Sequence, residues 1–395
     1  MIAPRRPRSP RRAVAACFLA TAVAGTMTAG CGSTPVASSA SSPAAPAQPP
    51  PLTASYTPAS GTGWVIVEMG GSAAQENNFW QLFARPAGAA GWKQVTPAGV
   101  ADNGGLVVAA NQAVVTAGQA LVTGFLPSQD LTFSPLAASS DSGATWSPAG
   151  PVSPGLADVP DALAAGPGGS LIALTSGGAE LGQHLGAAWT HLSTAGALAA
   201  TPAGKACEVT GLTAAAFSGG GAPMLAAGCA RAGTAGIFAR AGGAWHLAGP
   251  ALPASLARED IEVLRLAGDG TGLVALLRAG TGPGASVVAA WWDDGRWALS
   301  PPLRAGTLRS TAIGPGGSIA VILNGPQGAT LAGPGASWHA LPALPRSAAA
   351  LALGTAGRVD AITARGGTFT DWRLAPAGWS LAQTVQARIP YGSSS

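Results

Sequence analysis

The chain has 395 residues, of which 47% are hydrophobic and only 10% are charged, against about 25% charged in an average soluble domain. Its 57 glycines and 33 prolines exclude a coiled coil or a protein of long helices, because both residues disfavour helix interiors. Residues 1–30 hold five arginines and no acid, so the remainder has 16 basic and 17 acidic residues. Nucleic acids and anionic lipid surfaces require a basic surface, so we expect neither to bind this remainder.

The N-terminus has the organisation of an export signal. Residues 1–12 are arginine-rich, and residues 13–27 are apolar but too few to span a membrane. Small residues then precede Cys31, which resembles a bacterial lipobox, although Thr28 stands where leucine is usual. The resemblance implies cleavage after residue 30 and attachment of a lipidated Cys31 to the outer face of the cell membrane. The alternative is an ordinary signal peptide with an incidental cysteine, and Arg11-Arg12 also resembles part of a twin-arginine signal.

A linker is predicted after this cysteine. Residues 31–60 consist mainly of Ser, Ala, Pro and Thr and include seven prolines. Such a composition buries too little apolar surface to offset the entropy cost of ordering the chain. We therefore predict a signal peptide over residues 1–30, a lipid-attachment cysteine and disordered linker over 31–60, and one folded domain over 61–395.

Within that domain a tryptophan recurs at regular intervals. Each of seven tryptophans follows a glycine-containing turn and begins a short strand-like run: Trp92, Trp146, Trp189, Trp245, Trp297, Trp338 and Trp379. Their spacings are 54, 43, 56, 52, 41 and 41 residues, a mean of about 48. Self-similarity at such a period indicates a repeat architecture.

One repeat, residues 309–344, contains four short apolar runs separated by Gly/Pro turns: 310–313, 318–323, 329–332 and 337–341. Four strands and one aromatic landmark per ~40–50 residues are typical of a propeller blade. We therefore predict an all-β fold, a single seven-bladed β-propeller of four-stranded blades. Because no strand is predicted before Thr62–Met69, we expect Thr384–Ile389 to supply the inner strand of the first blade and close the ring.

One repeat carries a sharper motif, formed by Ser139, Asp141, Gly143, Thr145 and Trp146 in the pattern Ser-x-Asp-x-Gly-x-Thr-Trp. This segment resembles the Asp-box, or BNR, repeat of sialidase-like β-propellers. We expect the aspartate to hydrogen-bond the backbone of a tight turn and the tryptophan to pack between blades. In that family the box is an element of the fold, away from any active site. Residues 291–297 are a degenerate copy without the threonine, and the other repeats lack the aspartate.

The catalytic residues of sialidases are not matched. Those enzymes use an arginine triad, a Tyr/Glu nucleophile pair and an acid/base Asp, whereas the two tyrosines here are Tyr56, in the predicted linker, and Tyr391, near the C-terminus. Three of the four histidines, His191, His246 and His339, follow the recurrent tryptophan in different repeats, so we expect no metal site, and no motif predicts a cofactor. A glycoside hydrolase or lyase that acts on envelope carbohydrate is the alternative, through acids such as Asp158/Asp161 and Glu259/Asp260.

Cys207 and Cys229 are the only cysteines after Cys31. They are equidistant from Ser218-Gly-Gly-Gly221, which is predicted to be the turn of a hairpin. Residues equidistant from such a turn face each other across antiparallel strands within bridging distance. In an oxidising compartment we therefore expect a disulfide between them.

The scarce charges cluster in particular connections. In a four-stranded blade, the 2–3 and 4–1 connections emerge on one face, and the predicted 4–1 connections are long and polar. Loops on a rigid scaffold commonly carry binding residues. The predicted ligand-binding residues are Arg258, Glu259, Asp260, Asp102, Asn103, Asp158, Asp161 and Glu76. The alternative is that these loops are polar only because they are solvated. We expect a non-catalytic, monomeric binding module for an envelope protein or glycan.

Overall fold

The computed structural model describes residues 52–57, 61–70, 78–97, 114–117, 120–124, 136–148, 162–184, 186–268, 272–293 and 295–388. The predicted signal peptide, Cys31 and the linker up to residue 51 lie outside these ranges. Within them the protein is almost entirely β-structure, and no described helix is long and apolar enough to cross a membrane.

The described strands pair as seven consecutive antiparallel meanders of four strands. The first is β1 (Leu52–Thr57), β2 (Thr62–Gly70), β3 (Asn78–Arg85) and β4 (Lys93–Gln94). The second is β5 (Val114–Ala117), β6 (Ala120–Gly124), β7 (Leu136–Ser139) and β8 (Ser147–Pro148). The third is β9 (Ala162–Ala165), β10 (Leu171–Thr175), β11 (Gly178–Gly182) and β12 (Trp189–Ser193).

The fourth meander is β13 (Val209–Phe217), β14 (Pro223–Cys229), β15 (Gly236–Ala241) and β16 (Ala244–Leu247). The fifth is β17 (Ile261–Gly268), β18 (Leu273–Ala279), β19 (Ser286–Asp293) and β20 (Arg296–Leu299), with β21 (Leu303–Arg304) added to β19. The sixth is β22 (Ser310–Ile313), β23 (Ile319–Ile322), β24 (Gly328–Leu331) and β25 (His339–Ala340). The seventh is β26 (Ala348–Leu353), β27 (Val359–Arg365), β28 (Thr368–Ala375) and β29 (Gly378–Gln386).

Burial differs between the inner and outer strands of each meander. Second strands such as β18 and β23 are buried along nearly their whole length, whereas the fourth strands β16 and β20 are mostly exposed. The second strands contain continuous apolar runs because a neighbouring meander packs on each of their two faces. Apolar clusters accordingly join the second meander to the third, the fourth to the fifth and the fifth to the sixth. This packing is that of a β-propeller.

The recurrent tryptophans lie where the sequence predicts them, at or immediately before the fourth strand of each meander. Four of them also tie their meander to the preceding one. The indole N–H donates to a backbone carbonyl just beyond the previous fourth strand, in the pairs Trp146–Val95, Trp297–Ala248, Trp338–Pro301 and Trp379–Pro342, at 2.7–3.3 Å. The tryptophan repeat therefore marks a contact between meanders as well as a core position.

Two short helices interrupt the β-structure, α1 (Ala195–Ala200) and α2 (Pro202–Cys207), and the sequence analysis predicts neither. Thr194 and Thr201 cap them, since each hydroxyl accepts a hydrogen bond from a backbone N–H three residues on. The predicted disulfide joins Cys207, the last residue of α2, to Cys229, the last of β14, with Cα atoms 5.0 Å apart. The hairpin turn also lies where predicted, because Phe217 pairs with Pro223.

The expectation that the C-terminal segment supplies the first inner strand is wrong. The structure places β1 there, antiparallel to β2, with Ala54 opposite Val65, although the sequence analysis assigned residues 52–57 to the linker. β1 also pairs in parallel with β22, the first strand of the sixth meander. At the other end, β29 continues to Gln386 as the partner of β28, so it stays within the seventh meander.

The first and seventh meanders instead meet through side chains. The rings of Phe83 and Phe369 stack at 4.0 Å between centroids, and Trp92 packs against Phe369 at 6.2 Å. Arg85 forms a buried ion pair with Asp360, and its guanidinium lies 4.4 Å from the centre of the Trp92 ring. The two terminal meanders thus form a packed boundary without exchanging a strand.

Candidate binding face

The two ends of the meanders carry different connections. We call the end with the 1–2 and 3–4 connections the turn face, and the end with the 2–3 and 4–1 connections the loop face. On the turn face, three 1–2 connections are tight glycine-containing turns of the same form, over residues 166–170, 314–318 and 354–358. In each, the N–H of the first residue donates to the carbonyl of the fifth at 2.8–2.9 Å.

The Asp-box lies on the turn face, in the connection between β7 and β8. Asp141 accepts hydrogen bonds from the Thr145 N–H (2.8 Å) and hydroxyl (2.6 Å) and from the Ser139 hydroxyl (2.7 Å). These bonds, those from Thr145 first, lower the pKa of Asp141 to about 2. Gly143 adopts φ +87° in this turn, a conformation that glycine accepts readily. Asp141 therefore bonds the backbone of its own turn.

On the loop face, successive connections are hydrogen-bonded to one another between the fourth and fifth meanders. The N–H of Gly233, in the connection between β14 and β15, donates to the carbonyl of Glu259 at 2.8 Å. The N–H of Gly280, in the connection between β18 and β19, donates to the carbonyl of Asp260 at 2.9 Å. The backbone before β17 is thereby fixed by loops from both adjacent meanders.

The side chains on this fixed backbone point outward. Arg258, Glu259 and Asp260 are all exposed, and none of them forms an ion pair with another described residue. The structure therefore brings together three of the predicted ligand-binding residues. The other five lie outside the described residues: Asp102, Asn103, Asp158, Asp161 and Glu76.

A cavity of about 310 Å³ opens on the same face beside the sixth meander. Its lining comes from the segment before β22, the connection between β23 and β24, and the connection from β25 to β26: Arg309, Gly325, Pro326, Leu344, Pro345, Arg346, Ser347 and Ala348. The sequence analysis did not select these residues. The sequence contains one feature that could have indicated this site: residues 295–359 contain five arginines and no Asp or Glu.

The turn face has a groove of about 270 Å³ between the sixth and seventh meanders. Ser318, Thr330 and His339 contribute polar groups to it, and the 354–358 turn forms its other side. Most of its remaining lining is backbone of the tight turns and apolar side chains such as Leu353. The charged residues predicted for ligand binding are absent from this lining.

Buried charges gather near the turn face at the boundary of the first and seventh meanders. Asp360, which is fully buried, accepts hydrogen bonds from Arg85, from Arg358 (2.7 Å) and from Arg373 (3.4 Å). Asp371 is also fully buried, and its closest cation is Arg358 at 3.6 Å. Burial, reinforced by the charge of Asp360, raises the pKa of Asp371 to about 6.

A second buried charge lies on the first strand of the fifth meander. Arg265 is fully buried and donates from Nε to the Thr311 hydroxyl of β22 at 2.9 Å. Desolvation lowers its pKa to about 9, and the nearby Glu262 opposes this shift. Glu262 itself pairs with Arg278 across β17 and β18, yet its own burial raises its pKa. Arg265 and Thr311 connect two meanders in the core, whereas Glu262 and Arg278 lie at the loop-face end of β17 and β18, two residues from Asp260 and Gly280.

The histidines do not converge. His191 on β12 pairs with Glu180 on β11, with Nδ1 and Oε1 2.8 Å apart, while His246 and His339 lie on the fourth strands of other meanders. Among the described residues, no group of three or more His, Cys, Asp or Glu side chains could hold a metal ion.

Comparison with known proteins identifies no family. No protein-family profile matches the chain, and no curated protein matches it. The Asp-box resemblance therefore rests on residues 139–146 alone.

Solved structures of similar fold are β-propellers. YCF48 in complex with a D1 peptide is 13% identical with a TM-score of 0.43, over 89% of this chain and 96% of that one. A fungal lectin described as a six-bladed β-propeller, from Aleuria aurantia, is 12% identical with a TM-score of 0.36, over 86% and 96%. A Dos1 propeller is 11% identical with a TM-score of 0.43, over 88% of each chain. Such values concern the class of fold and say nothing of this chain's ligand or activity.

Proposed function

We propose that this chain is an exported lipoprotein whose seven meanders form one closed seven-bladed propeller, and that the propeller is a non-catalytic binding module at the cell envelope. Export is supported by the arginine-rich and apolar segments of residues 1–27. Lipid attachment is supported by the small residues before Cys31 and by the Pro-rich segment after it, which can act as a spacer.

The observation that carries the binding role is the segment Arg258–Asp260 on the loop face. Its backbone is hydrogen-bonded to Gly233 and Gly280, while its three side chains are exposed. A backbone that is already fixed loses little conformational freedom on association, so its side chains contribute more to affinity. Charges of both signs in one segment fit a partner that presents complementary charges or hydrogen-bonding groups.

The non-catalytic part of the proposal is supported by the surroundings of the acids. The buried Asp360 and the partly buried Glu262 are engaged by arginines within or between meanders. The exposed Glu259 and Asp260 are adjacent in sequence on one segment before β17. General acid/base pairs in glycosidases instead face each other across a bound sugar.

The binding role is tested by cosedimentation with isolated cell envelopes. The protein is the mature chain from residue 32, which lacks the lipid-attachment cysteine, so a lipid anchor does not contribute. We expect saturable cosedimentation of this protein and at least fivefold weaker binding of the triple variant Arg258→Gln, Glu259→Gln, Asp260→Asn. The control, Ser337→Ala on the turn face, should bind as the unchanged protein does. Equal losses from both faces would contradict the proposal.

Anchoring and catalysis are tested separately. Mass spectrometry of the membrane-associated full chain should show a diacylated N-terminal peptide beginning at Cys31, and Cys31→Ala should release the protein from the membrane. Unlipidated protein cleaved elsewhere would overturn the anchoring proposal. Release of soluble sugar or new reducing ends from envelope carbohydrate by the purified protein would establish the hydrolase or lyase alternative.

A further inference from the structure

We infer that the loop-face cavity beside the sixth meander binds a compact oxyanion, a carboxylate or a phosphate group, between Arg309 and Arg346. This inference rests on the proposed function, in which the loop face is the binding face. It assigns a second site on that face, separate in sequence from Arg258–Asp260, and it gives the chemistry of the group recognised there.

The cavity lining contains two guanidinium groups and no acid. Arg309 and Arg346 are both exposed, and neither forms an ion pair with another described residue. Arg309 makes one long hydrogen bond, from Nη1 to the Gly325 carbonyl at 3.4 Å. A guanidinium has five N–H donors in a planar fork that matches carboxylate and phosphate oxygens. Most of these donors therefore remain for a ligand.

Charge over a longer range favours the same ligand. Residues 295–357 include the whole sixth meander and contain Arg296, Arg304, Arg309 and Arg346 without a single Asp or Glu. This local excess contrasts with the balance of 16 basic and 17 acidic residues after residue 30. An anion that approaches the sixth meander is attracted before contact, and this attraction raises its rate of association.

The frame around the two arginines is rigid. The N–H of Leu344 donates to the Pro326 carbonyl at 2.8 Å, which joins the two connections that form the cavity walls. The N–H of Arg309 donates to the Ile322 carbonyl at 2.8 Å, which fixes the backbone that carries the first guanidinium. Ser347 adopts φ +64° next to Arg346. A non-glycine residue in this region is strained, and such strain occurs often at ligand sites.

The size and the other lining residues limit the ligand. A volume of about 310 Å³ is at the lower end of the range of small-molecule sites, roughly 300–1,000 Å³. Pro326, Leu344, Pro345 and Ala348 add apolar side chains to the lining. This combination fits an oxyanion attached to a small aliphatic group and provides no aromatic ring on which a sugar could stack.

Calorimetric titration at low ionic strength tests the inference with inorganic phosphate and, separately, with acetate; sodium chloride at equal ionic strength is the blank. We expect one saturable site per chain, weakened at least tenfold by Arg309→Gln or Arg346→Gln, since each removes charge-assisted hydrogen bonds. Arg365→Gln, an exposed arginine on the loop face outside the cavity lining, is the matched control and should change affinity less than twofold.

Binding of phosphate more tightly than acetate identifies a phosphate-bearing ligand, and binding of acetate more tightly than phosphate identifies a carboxylate; both results support the inference. Saturable binding of neither anion, or equal affinities of Arg346→Gln and Arg365→Gln, would overturn it. Failure of the proposed function is distinguishable from failure of this inference. In that case the protein would not cosediment with envelopes, or the Arg258–Asp260 triple variant would cosediment equally well, while phosphate binding would still depend on Arg309 and Arg346.

Discussion

Gln383 and Trp92 exchange two hydrogen bonds across the boundary between the last and first meanders. The Trp92 N–H donates to Oε1 of Gln383 at 2.7 Å, and Nε2 of Gln383 donates to the Trp92 carbonyl at 2.9 Å. Gln94 repeats the arrangement in the opposite direction, because its carboxamide bonds both the N–H (2.8 Å) and the carbonyl (2.9 Å) of Arg388. Two side-chain amides thus replace the backbone pairing that an exchanged strand would provide.

Replacement of Gln383 by Ala should lower the free energy of unfolding by about 1–3 kcal/mol, because two partly buried hydrogen bonds are lost together. Chemical denaturation measures the change. The matched control is Gln386→Ala on the same strand, whose carboxamide makes an exposed hydrogen bond with Thr368 within the seventh meander; it should cost less than 1 kcal/mol. Equal costs for the two variants would mean that the boundary bonds contribute no more than a surface contact.

Removal of β1 should destabilise the domain much more than removal of the segment before it. A chain that begins at residue 45 retains β1, whereas one that begins at residue 61 loses its pairing with both β2 and β22 and exposes the buried Val65 and Val67. We expect the first to melt like the mature chain and the second to melt at a sharply lower temperature or to fail to fold. Indistinguishable melting of the two chains would contradict the place of β1.

The sequence predicts the repeating part of this fold well and its ends poorly. Tryptophans after glycine turns locate the fourth strands because turn chemistry and a packed aromatic are both local signals. The strand Leu52–Thr57 has no such signal, since it follows a Pro-rich segment and its partners are Val65, close by, and Thr311, far along the chain. A partner more than 250 residues away cannot be inferred from periodicity.

The two candidate sites also differ in how far the sequence predicts them. Arg258–Asp260 is a contiguous cluster, so charge density alone identifies it. The cavity beside the sixth meander needs Arg309 and Arg346, which are separated by a whole meander and brought together only by the fold. The disulfide was predictable because Cys207 and Cys229 flank one local turn, although Cys207 proves to end a helix instead of lying in a strand.

Removal of the disulfide should lower stability by about 3 kcal/mol, the loop-closure entropy for a 22-residue separation. The double variant Cys207→Ala, Cys229→Ala should unfold at lower denaturant concentration than the oxidised protein. Reduction of the unchanged protein with dithiothreitol should produce a similar shift, whereas the double variant should not respond to it. Two titratable thiols in the native, unreduced protein would show that the bond is not formed.

Replacement of Asp371 by Asn should stabilise the protein at pH 7. Because the folded-state pKa is about 6 against a usual 3.8, the folded protein binds the proton more tightly, and stability falls as pH rises between about 4 and 6. The cost above pH 6 is up to about 3 kcal/mol, and Asn avoids it. The melting temperature of Asp371→Asn should therefore exceed that of the unchanged protein at pH 7 and approach it near pH 4.

Asp360 provides the matched control for this prediction. It accepts hydrogen bonds from three arginines, so Asp360→Asn leaves buried guanidinium groups without their counter-ion and should destabilise the protein at pH 7. A lower melting temperature for Asp371→Asn at pH 7 would show that Arg358 compensates for the burial of this carboxylate.

Each described meander is built from one uninterrupted stretch of chain, from β1–β4 to β26–β29. In a ring whose last blade mixes strands from both termini, that blade cannot be copied or lost as a single piece of gene. Here a duplication or deletion of about 48 codons can start and end between meanders and carry a complete meander. The boundary bonded by Gln94 and Gln383 is then one more junction between meanders. The present termini could be joined there, and new termini could be opened between two other meanders.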